Sequence, residues 1–381
     1  MRHQYLVSIL AVFCGVAALS AQGCAAPVDE PARADEELRA LSLKIVGSGG
    51  LHVRDTPRLA PGAEDHLGAC ERFDAGDRAR ITCGRDRELL EVIVDKAAAR
   101  AVVVHRPEGR FRDKRTFFTC TTSGNGPGDL PANLACEAKK PTSSSGHGGL
   151  ASPFASTVPS LHIPNSHEVG GGGLLLRGMA PRSAEHYDQL FGAGVGAVLV
   201  FKNPTGDGSD VSDELDELAA RGLGREQIVN IPFRWKDLPG FDEPCRQTVQ
   251  ALQFLEANAA AGRKTFFHCT VGEDRTGLLA AVHRLLEEPG LTPDAAWDTE
   301  MCERGYGSGN PLKPAFVVGK LEDGLTPLYR KLTYLVAKGR LSAGTLDPAV
   351  CAVDPSTEPA FEAEAVPAAR LRCGTSTRYE P

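Results

Sequence analysis

The sequence predicts an α/β fold in which a central, mostly parallel sheet is flanked by helices, preceded by a small β-rich domain. Three observations carry this. Residues 159–345 alternate strand-like and helix-like runs, as expected where helical crossovers join parallel strands. Residues 41–136 hold short β-branched or alternating runs separated by Gly- and Asp-rich turns. A Ser/Gly/Pro-rich segment over 137–158 reads as a linker between the two.

In chain order, Arg2 precedes the apolar run "YLVSILAVFCGVAALSA", which is short for a membrane span and suits a secretory signal over 1–23. "ALSAQGC" resembles a bacterial lipoprotein box, although Ala21 stands where that pattern usually has Leu and Gln22 is also unusual. The resemblance implies a lipid on Cys24 that would attach the chain to a membrane. Residues 25–40 are acidic and Pro-containing and read as a tether. "LKIVG", "LLEVIVD", "ARAVVVHR" and "KRTFFTC" are the strands of the β-rich domain, in which no catalytic constellation is found.

Within 159–345, "GGLLLRG", "VGAVLVFK", "QIVNIPF" and "KTFFH" read as strands. Helices are expected at "SAEHYDQLFGAG" from about Ser183, at "SDELDELAARG" with Gly222 as its stop, and at "DEPCRQTVQALQFLEANAAAG". "TGLLAAVHRLLEE", "TPDAAWDTEMCERG" and "TPLYRKLTYLVAKGRL" complete the set. Residues 346–381 are Pro/Ala/Glu-rich and read as an irregular tail.

Net charge is −7, so the chain lacks the basic footprint of a nucleic-acid binder. Of its 11 cysteines, eight remain once Cys14, Cys24 and Cys269 are set aside. An even remainder fits four disulfides in an exported protein. Pairing neighbours in sequence suggests Cys70–Cys83, Cys120–Cys136, Cys245–Cys302 and Cys351–Cys373, one of about 105 connectivities.

The chemistry concentrates in "FFHCTVGEDRTGLL" over 266–279. A loop that leaves a buried strand and enters a helix is where ligands bind in open α/β sheets. Its backbone N–H groups and the helix N-terminus form an anion cradle. A cysteine there, facing Arg275, is driven from a pKa of about 8.5 towards about 3.5–7.5, which makes a thiolate nucleophile. Arg275 offers a planar fork matching two phosphate oxygens. Gly272 allows the sharp turn.

"HCTVGEDRTG" resembles the signature loop of the cysteine-dependent protein tyrosine phosphatase superfamily, HCxxGxxR(S/T)G, at every fixed position. "IPNSHEVGGGGLLLRGMAP" followed by "LFGAGVGAVLVFKN" resembles the upstream segment of its dual-specificity-like bacterial members, with Phe201-Lys202 in place of the usual Leu-Arg. The resemblance covers about residues 160–345 and implies a dual-specificity phosphatase-like fold. It implies that Cys269 attacks phosphorus, that Arg275 binds phosphate and stabilises the transition state, that Thr276 hydrogen-bonds the departing sulfur, and that His268 orients the loop and tunes the thiolate. Thr270, Val271, Gly272, Glu273, Asp274 and Arg275 would form the substrate cradle.

The general acid expected on a neighbouring loop is Asp237 in "IPFRWKDLPGF", with Asp242 as its rival. Asp237 would need a raised pKa or a closed loop to hold its proton. No cofactor or metal is expected, since Cys and Arg do the work of divalent ions elsewhere. Glu273 and Asp274 would repel the extra phosphates of inositol phosphates. The expected activity is therefore that of an exported phosphatase, a periplasmic or cell-envelope lipoprotein or a secreted protein, acting on protein phosphotyrosine, or with dual specificity. The substrate would be a phosphoprotein or a small phosphoester. An inositol-phosphate phosphatase and a non-catalytic phosphate-binding module are the alternatives.

Overall fold

The computed structural model describes residues 40–46, 50–54, 64–67, 70–85, 88–107, 116–139 and 152–379. The expected signal, Cys14, Cys24 and nearly all of the tether lie outside these residues.

The N-terminal part is a nine-stranded sheet: β1 (Ala40–Val46), β2 (Gly50–Arg54), β3 (Glu64–Leu67), β4 (Cys70–Ala75), β5 (Arg78–Arg85), β6 (Glu88–Asp95), β7 (Arg100–Pro107), β8 (Thr116–Asn125) and β9 (Pro131–Lys139). Its order is β3-β2-β1-β9-β8-β7-β6-β5-β4, and every pairing is antiparallel. β3 also approaches β5, so the sheet curls. Strand alternation sorts β6 into two faces. Leu90, Val92 and Val94 enter the core inside the curled sheet, which Ile81, Val103 and Phe118 share. Ile93 faces the other way, with Val104 and Phe117, against Phe154 and Tyr379. "LLEVIVD" is a near-continuous apolar run because both of its faces are covered.

The C-terminal part carries a five-stranded sheet made of β10 (His167–Glu168), β11 (Leu175–Met179), β12 (Val195–Val200), β13 (Ile228–Asn230) and β14 (Lys264–Cys269). Its order is β10-β11-β14-β12-β13, parallel except for the β10–β11 edge. The α/β mixture is as expected, but the larger sheet of the protein is antiparallel rather than parallel. Short connections can only join antiparallel neighbours, whereas parallel strands require helical crossovers. Those crossovers are α1 (Ala184–Gly192), α2 (Ser209–Ala220) and α3 (Asp242–Ala260), followed by α4 (Asp274–Glu287), α5 (Pro293–Glu300), α6 (Ala315–Asp323), α7 (Leu325–Ala337) and α8 (Phe361–Glu364). No helix among the described residues is long and apolar enough to cross a membrane.

The period of two in β14 again places its side chains. Phe266 joins a core with Tyr187 and Leu190 of α1 and Val211 and Leu218 of α2. Phe267 joins the opposite core with α3, α4 and α7. Helices thus cover both faces of the sheet, and the C-terminal end of β14 is left to carry the loop. Ser183 caps α1 by accepting from His186 N–H. α2 begins at Ser209, a turn earlier than the apolar pattern indicates.

Two disulfide expectations hold and two need correction. Cys70 and Cys83 are direct cross-strand partners, as are Cys120 and Cys136, and both pairs are bridged. The other bridges are Cys245–Cys351 and Cys302–Cys373. Adjacent cysteines meet when a hairpin brings them together; these four meet only after the tail has wrapped back on the helices. The tail is accordingly ordered in short turns and α8. The expected linker also ends in packed structure, with Ser152 and Phe154 both buried.

Candidate active site

β14 pairs in parallel with β11 (Met179 opposite Cys269) and with β12 (Val200 opposite His268). The strand therefore ends flanked on both sides, and the loop springs from a fixed base into the first turn of α4. Gly272 has φ +71°, and a Cβ there would stand 2.3 Å from the Gly178 carbonyl oxygen. Only glycine fits this turn without displacing β11. Its carbonyl points outward, accepting from Arg177 Nη2 at 2.8 Å and Asn165 Nδ2 at 3.1 Å. Arg177 is fully buried and is itself fixed by the Glu300 carbonyl and carboxylate at 2.6 and 3.1 Å. Neither Arg177 nor Asn165 was assigned a role from the sequence. The quoted upstream segment contains both, but its motif does not say what they hold.

Cys269 is 1% exposed and is the free cysteine among the described residues. Burial pushes its thiol up. Arg275's charge and the hydroxyl and N–H of Thr276 outweigh this, and it is lowered to about 7. The Thr276 hydroxyl has no other hydrogen-bond partner among the described residues. Arg275 is anchored through Nη1 to the Phe233 carbonyl at 3.0 Å and through Nη2 to Thr270 Oγ1 at 2.9 Å. Its Nε is buried without a partner among the described residues, a donor kept for an anion. A cleft of about 1040 Å³ opens here, lined by Cys269, Thr270, Val271, Asp274 and Arg275 on one side and by Trp235, Lys202 and α2 on the other.

Glu273 departs from expectation. Its carboxylate is 0% exposed and points behind the loop, accepting from Ser152 Oγ at 2.8 Å and Asn310 Nδ2 at 3.2 Å. Lys313 Nζ lies 2.9 Å from Glu273 and also pairs with Asp274. Burial would lower Lys313, but Asp274 and Glu273 together raise it and keep it charged. The expected repulsion of substrate by Glu273 and Asp274 is therefore corrected: one faces away from the cleft and both share a buried ammonium. Lys313 was not legible, because it follows the loop by 39 residues in a turn with no motif.

Asp237 also stands apart. Its carboxylate is 62% exposed, 2.9 Å from Lys320 Nζ, in a surface depression separate from the cleft. The hydrogen bond from Lys320 holds it below the usual carboxylate range, opposite to what a proton donor needs. Asp242, the rival, pairs with Arg246 in the first turn of α3 and is half exposed. Trp235, two residues before Asp237, does line the cleft.

No protein-family model matches the chain, and no curated protein matches its sequence. Solved structures similar to part of it include phosphatases. The catalytic core of the S. cerevisiae PP-IP phosphatase Siw14 is 18% identical, with a TM-score of 0.32, covering 47% of this chain and 94% of that one. P. aeruginosa TpbA is 18% identical with a TM-score of 0.32, covering 50% and 98%. A putative phosphatase (DUF442) from Shewanella putrefaciens is 17% identical with a TM-score of 0.30, covering 46% and 91%.

What the loop can do follows from its own geometry. It offers a thiol near its ionisation point and an anchored guanidinium with an unused donor, at the start of a helix. That combination binds a tetrahedral oxyanion and presents a nucleophile to its centre.

Proposed function

We propose that the chain is a cysteine-dependent phosphatase that hydrolyses phosphomonoesters through a phosphocysteine. The observation that carries this reading is the buried Cys269 thiol, lowered to about 7 beside Arg275, whose Nε is buried and unpartnered. The thiolate forms an S–P bond as the P–O ester bond breaks, and the leaving oxygen takes a proton from a carboxylic acid. Water then gives a proton back to that carboxylate as it attacks phosphorus, breaks the S–P bond and returns the thiolate with release of phosphate. Arg275 and the loop N–H groups bear the equatorial oxygens throughout.

Phosphotyrosine, or dual specificity, remains the first substrate reading. Trp235 offers a ring at the cleft wall, and Asp210, Asp213 and Glu217 line its rim, which disfavours additional phosphates there. The inositol-phosphate reading gains from one observation: Glu273, which was expected to repel such substrates, faces away from the cleft. Four disulfides support an exported protein.

The test is turnover of p-nitrophenyl phosphate by the full chain, expected to be vanadate-sensitive, insensitive to EDTA and lost in Cys269→Ser. Retained turnover in Cys269→Ser would overturn the mechanism. A panel of phosphotyrosine peptide, phosphoserine peptide, phosphoinositide and phytate then decides the substrate, and preference for phytate would replace the first reading with the second.

A further inference from the structure

The nine-stranded sheet holds no catalytic constellation, yet hydrogen bonds join it stepwise to the Cys269 loop. The turn over 302–313, between α5 and α6, braces the loop at two places. The Arg304 carbonyl accepts from Asn165 Nδ2 at 2.9 Å, the same nitrogen that donates to the Gly272 carbonyl at 3.1 Å. Asn310 Nδ2 donates to the Glu273 carboxylate at 3.2 Å. The residue before each of these, Glu303 or Gly309, is held by one residue of the tail, Ser376, which is 0% exposed. Its hydroxyl donates to the Glu303 carbonyl at 2.8 Å, and its N–H to the Gly309 carbonyl at 2.9 Å. The sheet in turn grips the backbone of the residue before Ser376. Glu91 of β6 accepts from the Thr375 N–H at 2.5 Å, and Arg80 of β5 donates to the Thr375 carbonyl at 2.8 Å. On the other side of Ser376, the N–H and hydroxyl of Thr377 both donate to the Glu303 carboxylate.

We propose that Ser376 is a positioning residue that keeps the Cys269 loop in its oxyanion-binding shape, and that the nine-stranded sheet is the seat that holds Ser376 in place. The Glu303 and Gly309 carbonyls share rigid peptide planes with Arg304 and Asn310, so a displacement at one is passed to the other. The turn has little room to absorb it. A Cβ on Gly309 would stand 2.2 Å from the Cys302 carbonyl oxygen, and one on Gly305 would stand 2.4 Å from the Phe154 ring. Buried carbonyls also lose most when a single partner is removed, because the other group stays behind unsatisfied. Two further braces limit the effect. Arg177 reaches the Gly272 carbonyl from β11, and the Tyr306 hydroxyl ties the middle of the turn to Leu321 and Thr326. Loss of the Ser376 hydroxyl therefore loosens the loop without dissolving it. The consequence for turnover rests on the phosphocysteine reading; the consequence for anion binding does not.

The test is equilibrium binding of tungstate, an inert tetrahedral oxyanion, to the full chain at a temperature where circular dichroism shows every variant folded. Ser376→Ala is expected to weaken tungstate binding and to lower kcat for p-nitrophenyl phosphate, each by about 10-fold, within the roughly 10²-fold that a small misplacement can cost. A merely structural role would lower the urea midpoint and leave the affinity of the folded chain as it was, and that result overturns the proposal. Glu91→Gln, which touches the tail but not the loop, is expected to act in the same direction. The double variant should lose less than the product of the two single losses, because both act on one strap. Wild-type affinity in folded Glu91→Gln, or full multiplication in the double variant, overturns the part assigned to the sheet. Should Ser376→Ala or Glu91→Gln fail to fold, Thr377→Val or Arg80→Met takes its place, with the same outcomes. Tungstate binding does not require turnover. If the affinities shift as expected but the wild-type chain hydrolyses no phosphoester, the phosphatase reading fails and the role of Ser376 stands. A wild-type chain that binds no tungstate overturns both.

Discussion

Burial alone would push the Cys269 thiol upward; Arg275 and Thr276 reverse the sign, and Gly272 gives the loop a turn in which they can reach it. These residues were legible because their chemistry and spacing are local: ten consecutive positions hold the proposed nucleophile, its cation and the turn between them. Asp237 was legible as a residue but not as a placement. It lies on a loop at φ +50°, outside the cleft, held by Lys320. Exposed ion pairs of this kind are weak, so the loop can exchange this contact for one with substrate. Asp237→Asn is therefore expected to slow alkyl phosphates by about 10²-fold or more while sparing p-nitrophenyl phosphate, whose leaving group needs no proton. Leaving-group dependence of kcat measures this, and an equal loss on both esters would assign the acid elsewhere.

Among the elements, β14 and α4 follow from their apolar runs. α6 was missed, because it buries only Val317, Val318 and Leu321 and carries Gly319 within it. What the elements hold between them was not legible either. Lys313 lies just before α6 and reaches Glu273 and Asp274 at the start of α4, as well as the Gly305 carbonyl at 2.7 Å. The loop is braced from behind by this ammonium and from β11 by Arg177. Lys313→Met would leave the Glu273 carboxylate buried without a counter-charge, a loss on the order of 3–5 kcal/mol in stability. Urea unfolding checks this, and adding Glu273→Gln should recover part of the loss. A single variant as stable as wild type would show that the cluster is not held by charge.

Across the whole molecule, the nine-stranded sheet is tied to the α/β part by the end of the tail. Glu91 of β6 accepts from the Thr375 N–H at 2.5 Å, and Arg80 of β5 meets Glu303 at 3.1 Å and the Thr375 carbonyl at 2.8 Å. Tyr379 lies between Phe117 of the sheet and Phe154, with ring centroids 5.9 and 6.5 Å away. Cys302–Cys373 fixes the tail beside these contacts, closing a span of 71 residues. Replacing both cysteines, Cys302→Ser with Cys373→Ser, is expected to cost about 2–4 kcal/mol in urea unfolding. Unchanged stability would mean that the Glu91, Glu303 and Tyr379 contacts hold the tail unaided.

The sequence by itself determined the local matters: the strand–helix alternation, and a loop whose cysteine, arginine and glycine need only their own spacing to suggest an oxyanion site. Only the tertiary structure decided which cysteines of the helical part pair, that Glu273 turns from the cleft to Lys313, and that Asp237 rests outside the cleft on Lys320. The reason is physical. Hydrogen-bonded turns and side-chain periodicity act over a few residues and are written along the chain, whereas the partner of a buried charge is fixed by which elements pack together, a distance in space that sequence separation does not record.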